Sequence, residues 1–368
     1  MENAINGSTN SANIEEDEAF NRASAATASF VLPMALDTAI QLRLFEIISK
    51  AGEGAGVLPS DIAAQLPNSG PPEAVASRLD CVLRLLASYS LLTCSVSKVA
   101  NRGIQTRYGL ATAGKFFVRD ENGASLVVGL RDFTRYQAGF LETCSKLKDA
   151  VLGGGNPFER AYGMPIHEYM KSNPDYRRIF QDFMTNYSVM IMKRVCEKYN
   201  GFEGLRSIVN VGGGSGVTLD FIISRYPSIH GINFDLPEVI EGAPSYKGVH
   251  HISGDMFVQV PQGDAILLKF ILHNWSDDQC LQVLKNCYKA LPKTGKVIIL
   301  DTMLPDIPQD DTHSKMVSQF DYIMLMLYGS RERTKAEFEA LAKKSGFSEF
   351  KVVCNAHSVW VMEVIKTE

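Results

Sequence analysis

A chain of 368 residues with 45% hydrophobic and 21% charged residues has the composition of a globular protein with room for two domains. Its formal net charge of −4 supplies no basic field for nucleic acid or an anionic membrane surface. Seven cysteines, an odd number without a C-x-x-C pair, fit reduced thiols in a cytoplasmic protein and speak against a disulfide scaffold or zinc site.

In chain order, residues 1–18 are rich in Asn, Ser and Glu and read as a disordered tail. This polar start does not read as a targeting leader, and no apolar run approaches the length of a membrane span. From residue 20 to 49 the apolar positions Phe30, Val31, Met34, Leu42, Phe45 and Ile48 follow helical spacing. The stretch 23–35 is apolar on nearly every side, which predicts a helix buried in a homodimer interface. A cap at Leu58-Pro59-Ser60-Asp61 starts a second helix, and a third spans 77–90. Short strands are expected at 91–96 and 106–110. Helices followed by a β-ribbon predict a winged-helix-like domain over residues 19–122. Its third helix offers only Arg78 and Arg84, so dimerisation fits better than DNA binding.

Residues 123–199 form a mostly helical segment rich in aromatic residues and methionine, among them Phe140, Tyr176, Phe180, Met184 and Tyr187. As a group they suit the wall of a pocket for a flat, apolar substrate. Asn200-Gly201 marks the start of the last domain, 200–368.

That domain opens on a buried strand at 208–211, followed by Gly212, Gly213, Gly214 and Gly216 and then a helical pattern from Val217. A second strand ends in Asp235, nineteen residues after Gly216, where an acid can accept both hydroxyls of a ribose. The unit suits an adenosine-type ligand. The third glycine of the dinucleotide fingerprint would fall at Val217, which counts against an NAD-type oxidoreductase, the competing reading. Strands at 249–252, 264–272 and 296–300 alternate with helices at 278–290 and 334–345, and strands at 350–353 and 359–365 close the chain. The pattern predicts an α/β fold with an open, mostly parallel Rossmann-like sheet. Asp235, Asp255, His273 and Asp301 fall at carboxyl ends of its strands and Lys269 lies just before one, so these groups converge on one site.

The motifs Val-Gly-Gly-Gly-Ser-Gly (211–216), Asn-Phe-Asp-Leu-Pro (233–237), Gly-Asp-Met-Phe (254–257), Leu-Lys-Phe-Ile-Leu-His-Asn-Trp-Ser-Asp (268–277) and Arg-Glu-Arg-Thr (331–334) carry a resemblance. The chain resembles the plant small-molecule O-methyltransferases of the caffeic acid type, which use S-adenosylmethionine. The resemblance implies a class I methyltransferase sheet behind an N-terminal dimerisation domain, with no metal. By the same likeness Gly212, Asp235, Leu236, Asp255, Met256 and Lys269 contact the cofactor. His273 is the implied catalytic base, flanked by Asp301 and Glu332. Arg135, Phe140, Ile166, Tyr176, Phe180, Met184, Tyr187, Ile323 and Met324 are the implied substrate wall. Asn210, Asn274 and Asp301 stand where the family has Asp, Asp and Glu, and the 322–330 loop reads one position short. The substrate-wall differences lead us to expect an acceptor other than the ring 3-hydroxyl of caffeate. Candidates are another phenol or the side-chain hydroxyl of a monolignol such as coniferyl alcohol. N-methylation by the same scaffold is the remaining alternative.

Methyl transfer from a sulfonium to an oxyanion is an in-line displacement that consumes charge, so an apolar site favours it. A phenol has a pKa near 10 and free imidazole about 6.5, so full proton transfer beforehand costs roughly 5 kcal/mol. Two carboxylates beside His273 would narrow that gap by stabilising the imidazolium.

Overall fold

The structure, a computed structural model, describes the backbone of residues 2–67, 70–99 and 103–367, and their side chains outside 2–13, 99, 103 and 128–140. The chain divides into two compact units, residues 1–131 and 132–368.

In the first unit, helix α1 (Glu2–Thr27) is followed by α2 (Val31–Gln41), α3 (Leu44–Ser49), α4 (Pro59–Ala63), α5 (Pro72–Ser88) and the antiparallel ribbon β1 (Leu92–Val99) and β2 (Gly103–Leu110). Leu36, Ile40, Leu44, Phe45, Ile62, Leu83, Leu86 and Tyr108 build one core, and the buried Tyr108 hydroxyl donates to Asp80 at 2.7 Å. Two expectations change. The segment read as a disordered tail is helical, with every described residue from 14 to 31 exposed. The apolar stretch 23–35 is not one helix, because a turn at 28–30 breaks it and the flanking helices bend by 55°. Phe30, Val31 and Met34 are exposed on it, as is Phe20 just before it. No single helix among the described residues is long and apolar enough to cross a membrane.

The second unit begins within α6 (Val127–Gly153) and continues through α7 (Pro157–Tyr162), α8 (Ile166–Ser172) and α9 (Pro174–Lys198). Residues 132–199 and 200–368 lie together in this second unit. Next come β3 (Ser207–Val211), α10 (Val217–Arg225), β4 (His230–Asp235), α11 (Pro237–Ile240), β5 (Val249–Ser253), β6 (Ala265–Lys269), α12 (Asp277–Ala290) and β7 (Lys296–Asp301). The chain ends with β8 (Met303–Leu304), α13 (Thr312–Tyr328), β9 (Arg333–Thr334), α14 (Lys335–Lys344), β10 (Glu349–Ala356) and β11 (Val359–Ile365).

The seven-stranded sheet has the order β10-β11-β7-β6-β3-β4-β5, and all its pairings are parallel except those of β11. Alternate strand residues feed two cores, one on each face. Val209, Val211, Ile266, Leu268, Val297 and Ile299 face α12 and α14. Ile208, Leu267, Ile298 and Leu300 pack with residues of α9 and α10. The chain leaves β3 for β4 on one side and later returns to β6 on the other. The crevice above this reversal is where an open α/β sheet binds its ligand.

Sequence reasoning missed α13. Its apolar residues include the run Ile323–Leu327, which hides helical periodicity, but Asp311 caps its start by accepting from the Ser314 N–H at 2.8 Å. The shortened loop expected at 322–330 is the end of this helix, closed by Gly329 at φ 65°.

Candidate active site

The turn after β3 follows from two glycines. A Cβ on Gly213 would meet Asn233 Oδ1 at 2.0 Å, whereas Gly214, at φ 57°, has nothing within 4 Å of that position. One glycine thus lets the turn close onto the sheet, and the next leaves open space above it. Asp235 accepts from the Gly214 N–H at 2.8 Å and the Leu236 N–H at 2.7 Å, which uses half of what a carboxylate can accept. Burial still outweighs these bonds, and the Asp235 pKa is raised. Asn233 donates to the Gly214 carbonyl, and among the described residues both amide atoms of buried Asn210 lack a hydrogen-bond partner. Leu236 and Asp255 are exposed, Met256 is half-buried, and Lys269 ends β6 with its ammonium 4.7 Å from the Phe270 ring centroid. Burial lowers the Lys269 pKa to about 8, against the pull of Asp301.

The strand expected to run to residue 272 and end at His273 stops earlier. Strand β6 stops at Lys269, Phe270 takes φ 55°, and a single 3-10 turn, Leu272–Asn274, carries the histidine. This turn aims Nδ1 at Glu332 Oε1, 2.9 Å away, and at Asp301 Oδ1, 3.4 Å away. All three residues are buried. Their ligand atoms lie within 4.8 Å of one another, a spacing that suits a shared proton or a small cation. The 2.9 Å contact has the length of a charge-assisted hydrogen bond, and the proton is the occupant these side chains supply themselves. Burial alone would depress the imidazole pKa, but Asp301 and the Glu332 hydrogen bond outweigh it and the net shift is upward. Burial pushes the Asp301 carboxyl up to about 7 despite the opposing pull of His273. Among the described residues nothing hydrogen-bonds Nε2, which leaves it open for a substrate proton.

Beside the histidine runs a column of rings. Phe183 and Tyr187, Tyr187 and Phe270, and Phe270 and His273 lie 5.8, 5.7 and 5.6 Å apart between centroids, at interplanar angles of 18°, 28° and 22°. Tyr176, Phe180, Met184 and Tyr187 share one face of α9 by their spacing, and all four are half-buried. They do not all reach the column. Tyr176 sits edge-on to Tyr169, in an aromatic group with Tyr162 and Phe158. Ile166 is buried at the start of α8, Ile323 half-buried and Met324 buried on α13. The side chains of Arg135 and Phe140 lie outside the described residues.

A cleft of about 650 Å³ opens elsewhere, lined by Trp275, Asp277, Asp321, Tyr322, Arg331 and Arg333 among others. None of the predicted substrate-wall residues lines it, so it is not the predicted acceptor site. It touches the residues that hold the active-site backbone. Asp321 accepts from the Glu332 N–H at 2.8 Å, and Ser330 donates to the His273 carbonyl at 2.6 Å. Sequence reasoning missed Phe270, Ser330, Asp321 and Arg333. Phe270 and Arg333 stand inside quoted motifs, beside Lys269 and Glu332, and that adjacency was the only signal.

The switch-point glycine turn, the acid ending the second parallel strand and the buried histidine on the turn after the fourth define a class I methyltransferase. An O-methyltransferase domain profile matches residues 144–348, and an O-methyltransferase dimerisation domain profile matches residues 25–120. The chain is 50% identical to esculetin O-methyltransferase of Kitagawia praeruptora, over 96% of each chain. It is 49% identical to caffeic acid 3-O-methyltransferase of Catharanthus roseus, over 97% of this chain and 98% of the other. Two solved structures share the fold. A methyltransferase of calicheamicin biosynthesis, in its S-adenosylhomocysteine-bound form, has a TM-score of 0.77 at 21% identity, covering 96% of this chain and 99% of the other. Human N-acetylserotonin methyltransferase in complex with S-adenosylmethionine has a TM-score of 0.74 at 19% identity, covering 95% and 98%. The chain belongs to the O-methyltransferase family.

Proposed function

We propose that the protein transfers a methyl group from S-adenosylmethionine to a hydroxyl of a planar, phenylpropanoid-type acceptor, with His273 as general base. The observation that carries this reading is the buried imidazole, anchored through Nδ1 on Glu332 and Asp301 with Nε2 open. The esculetin and caffeic acid methyltransferases it resembles are named for acceptors of this class.

The site fits the donor. Gly214 leaves open space beside the turn, Asp235 keeps unused acceptor capacity, and the unpartnered Asn210 amide lies below the glycines. When bound, the donor supplies an electrophilic methyl group on a cationic sulfur. Gly212, Asp235, Leu236, Asp255, Met256 and Lys269 would hold it. Nε2 of His273 takes the acceptor proton as the oxygen gains its methyl group. Glu332 and Asp301 stabilise the imidazolium that forms, and the ring column orients a flat acceptor and excludes water. We further propose a homodimer, formed through the region that matches the dimerisation profile, in the reducing cytoplasm that its seven free cysteines suit.

Incubation with S-adenosylmethionine and a panel of esculetin, caffeic acid and coniferyl alcohol tests the reaction. Methylation of an acceptor hydroxyl, lost in His273→Ala, is the expected result. N-methylation alone, or full turnover in that variant, would sink the proposal.

A further inference from the structure

We propose that Arg333 is a positioning residue for methyl transfer: its guanidinium ties the His273 turn to the segment that carries Glu332. This inference rests on the reading of His273 as the base. Arg333 is 2% exposed. Its Nη1 donates to the Leu272 carbonyl at 2.6 Å and its Nη2 to the Trp275 carbonyl at 2.8 Å. Nη2 and Nε also reach Asp277 Oδ1, at 2.9 and 3.1 Å. Leu272 and Trp275 bracket His273, whose own carbonyl accepts from Ser330 at 2.6 Å.

The physical need is clear. A single 3-10 turn leaves carbonyls without intrahelical donors, and a buried carbonyl needs one. Arginine alone offers five donors in a fixed planar fork, so one side chain can serve two carbonyls and a carboxylate together. The same short segment reaches the chain that carries Asp301 as well. Arg333 pairs with Met303 in the β8–β9 ladder, two residues beyond Asp301. Segment 330–334 therefore braces the turn of His273, the backbone of Glu332 and the chain just past Asp301.

The guanidinium also places a cation near the acids. His273 faces Asp301, Glu332 and Lys269, while Glu332 is also coupled to Tyr187 and Asp321. Arg333 acts on Asp301 in the direction that favours its ionised form. Without the guanidinium the Asp301 carboxyl holds a proton more tightly, so the shared titration of Asp301 and His273, read at the imidazole, should move to higher pH.

The full-length enzyme with Arg333→Gln and with Arg333→Lys decides the matter. The readouts are kcat and KM, S-adenosylhomocysteine affinity by calorimetry, melting temperature, and the His273 imidazole titration by NMR, assigned with His273→Asn. Arg333→Gln should lower kcat by about a hundredfold, the effect of a small misplacement of a catalytic group, with the His273 titration moved upward. S-adenosylhomocysteine affinity and acceptor KM should stay within about threefold, because Arg333 sits behind the turn rather than against a bound molecule. Arg333→Lys keeps the charge but not the fork, so its titration should stay near that of the parent while kcat still falls at least tenfold.

A Lys variant with kcat within twofold of the parent would overturn the proposal. So would a Gln variant that loses melting temperature, cofactor affinity and kcat together with an unmoved titration. If the Gln variant does not fold, the Lys variant carries the test alone. If His273→Ala turns over normally, the base assignment fails on its own. The imidazole shift and titration then still judge Arg333, and unchanged values in its variants overturn its role.

Discussion

Glu332 Oε1 lies 2.9 Å from His273 Nδ1 in a site where Glu332 is fully buried and His273 nearly so. A bond to Nδ1 fixes the tautomer, and the fixed tautomer leaves Nε2 as the acceptor nitrogen. His273→Ala should therefore lower kcat by about two to four orders of magnitude, the span attributed to a positioned base. Its S-adenosylhomocysteine affinity should stay near that of the parent, since the glycine turn and Asp235 are untouched. Calorimetry and single-turnover kinetics on one preparation check both halves. Loss of affinity together with rate would remove the histidine from its role.

Glu332 and Asp301 divide the support between them, and conservative amides separate their contributions. Glu332→Gln keeps an oxygen that can accept from Nδ1 but removes the charge, so the imidazolium loses its hydrogen-bonded counter-ion. Asp301→Asn removes a carboxylate held 3.4 Å from Nδ1 without a hydrogen bond to it, so its effect on the imidazole is electrostatic. We expect the Glu332 variant to lose about tenfold more kcat than the Asp301 variant, because charge-assisted hydrogen bonds are roughly twice as strong as neutral ones. Equal losses, or a larger loss at Asp301, would contradict this ranking.

The pH dependence has opposite signs for rate and stability. The folded site holds protons more tightly than the unfolded chain, since the His273 pKa is raised above 6.5 and the Asp301 carboxyl is pushed to about 7. Stability from this pair is therefore present at acid pH and declines as pH rises through the folded values. Catalysis needs Nε2 unprotonated, so kcat should rise over the same range, with an acid limb above 6.5. The melting temperature of the parent minus that of Asp301→Asn should fall between pH 5 and 8, because only the parent must bury the new carboxylate. A difference that grows with pH would show the coupling to have the other sign.

On the cofactor side, Asp235→Ala removes the acceptor for two backbone N–H groups as well as a binding carboxylate. Leaving the part-buried Gly214 N–H unpaired costs about 1–3 kcal/mol, so affinity for S-adenosylhomocysteine should drop at least tenfold and the turn should loosen. Gly213→Ala should do more damage, since its Cβ would meet Asn233 Oδ1 at 2.0 Å and Asn210 Nδ2 at 2.6 Å. Calorimetry for the first and thermal unfolding for the second test these outcomes. An unchanged dissociation constant in Asp235→Ala would argue that the acid only shapes the turn.

Much of this was legible in the chain because sheet signals are local. The run at 208–211 is buried on both faces, and Asp235 and Asp301 end their strands as read. The His273 turn was not legible, since Leu268, Phe270, Ile271 and Leu272 look like one continuous strand until Phe270 adopts positive φ. Helix α13 was hidden by its apolar run, and its loss from the reading made the end of a helix look like a shortened loop. Arg333 and Ser330 act through backbone carbonyls, which no side-chain pattern advertises.

The acceptor is decided by the ring column and by proton affinity together. Tyr187 stacks on Phe270, which stacks on His273, so a flat aromatic acceptor can extend the same stacking beside the base. Burial and the nearby Glu332 charge raise the Tyr187 pKa to about 12, so its hydroxyl stays a neutral donor at working pH. A phenol lies about 3.5 pKa units above free imidazole, a gap the two acids narrow, whereas an aliphatic alcohol is a far weaker acid. We therefore expect esculetin and caffeic acid to be methylated on a ring oxygen faster than coniferyl alcohol on its side chain. Tyr187→Ala should raise acceptor KM by about two- to tenfold, the loss of one aromatic pair, and leave S-adenosylhomocysteine affinity in place. NMR of the products gives the methylated position. A side-chain methyl ether of coniferyl alcohol formed at the best rate would show that stacking, rather than acidity, selects the acceptor. An unchanged KM in Tyr187→Ala would remove the column from substrate recognition.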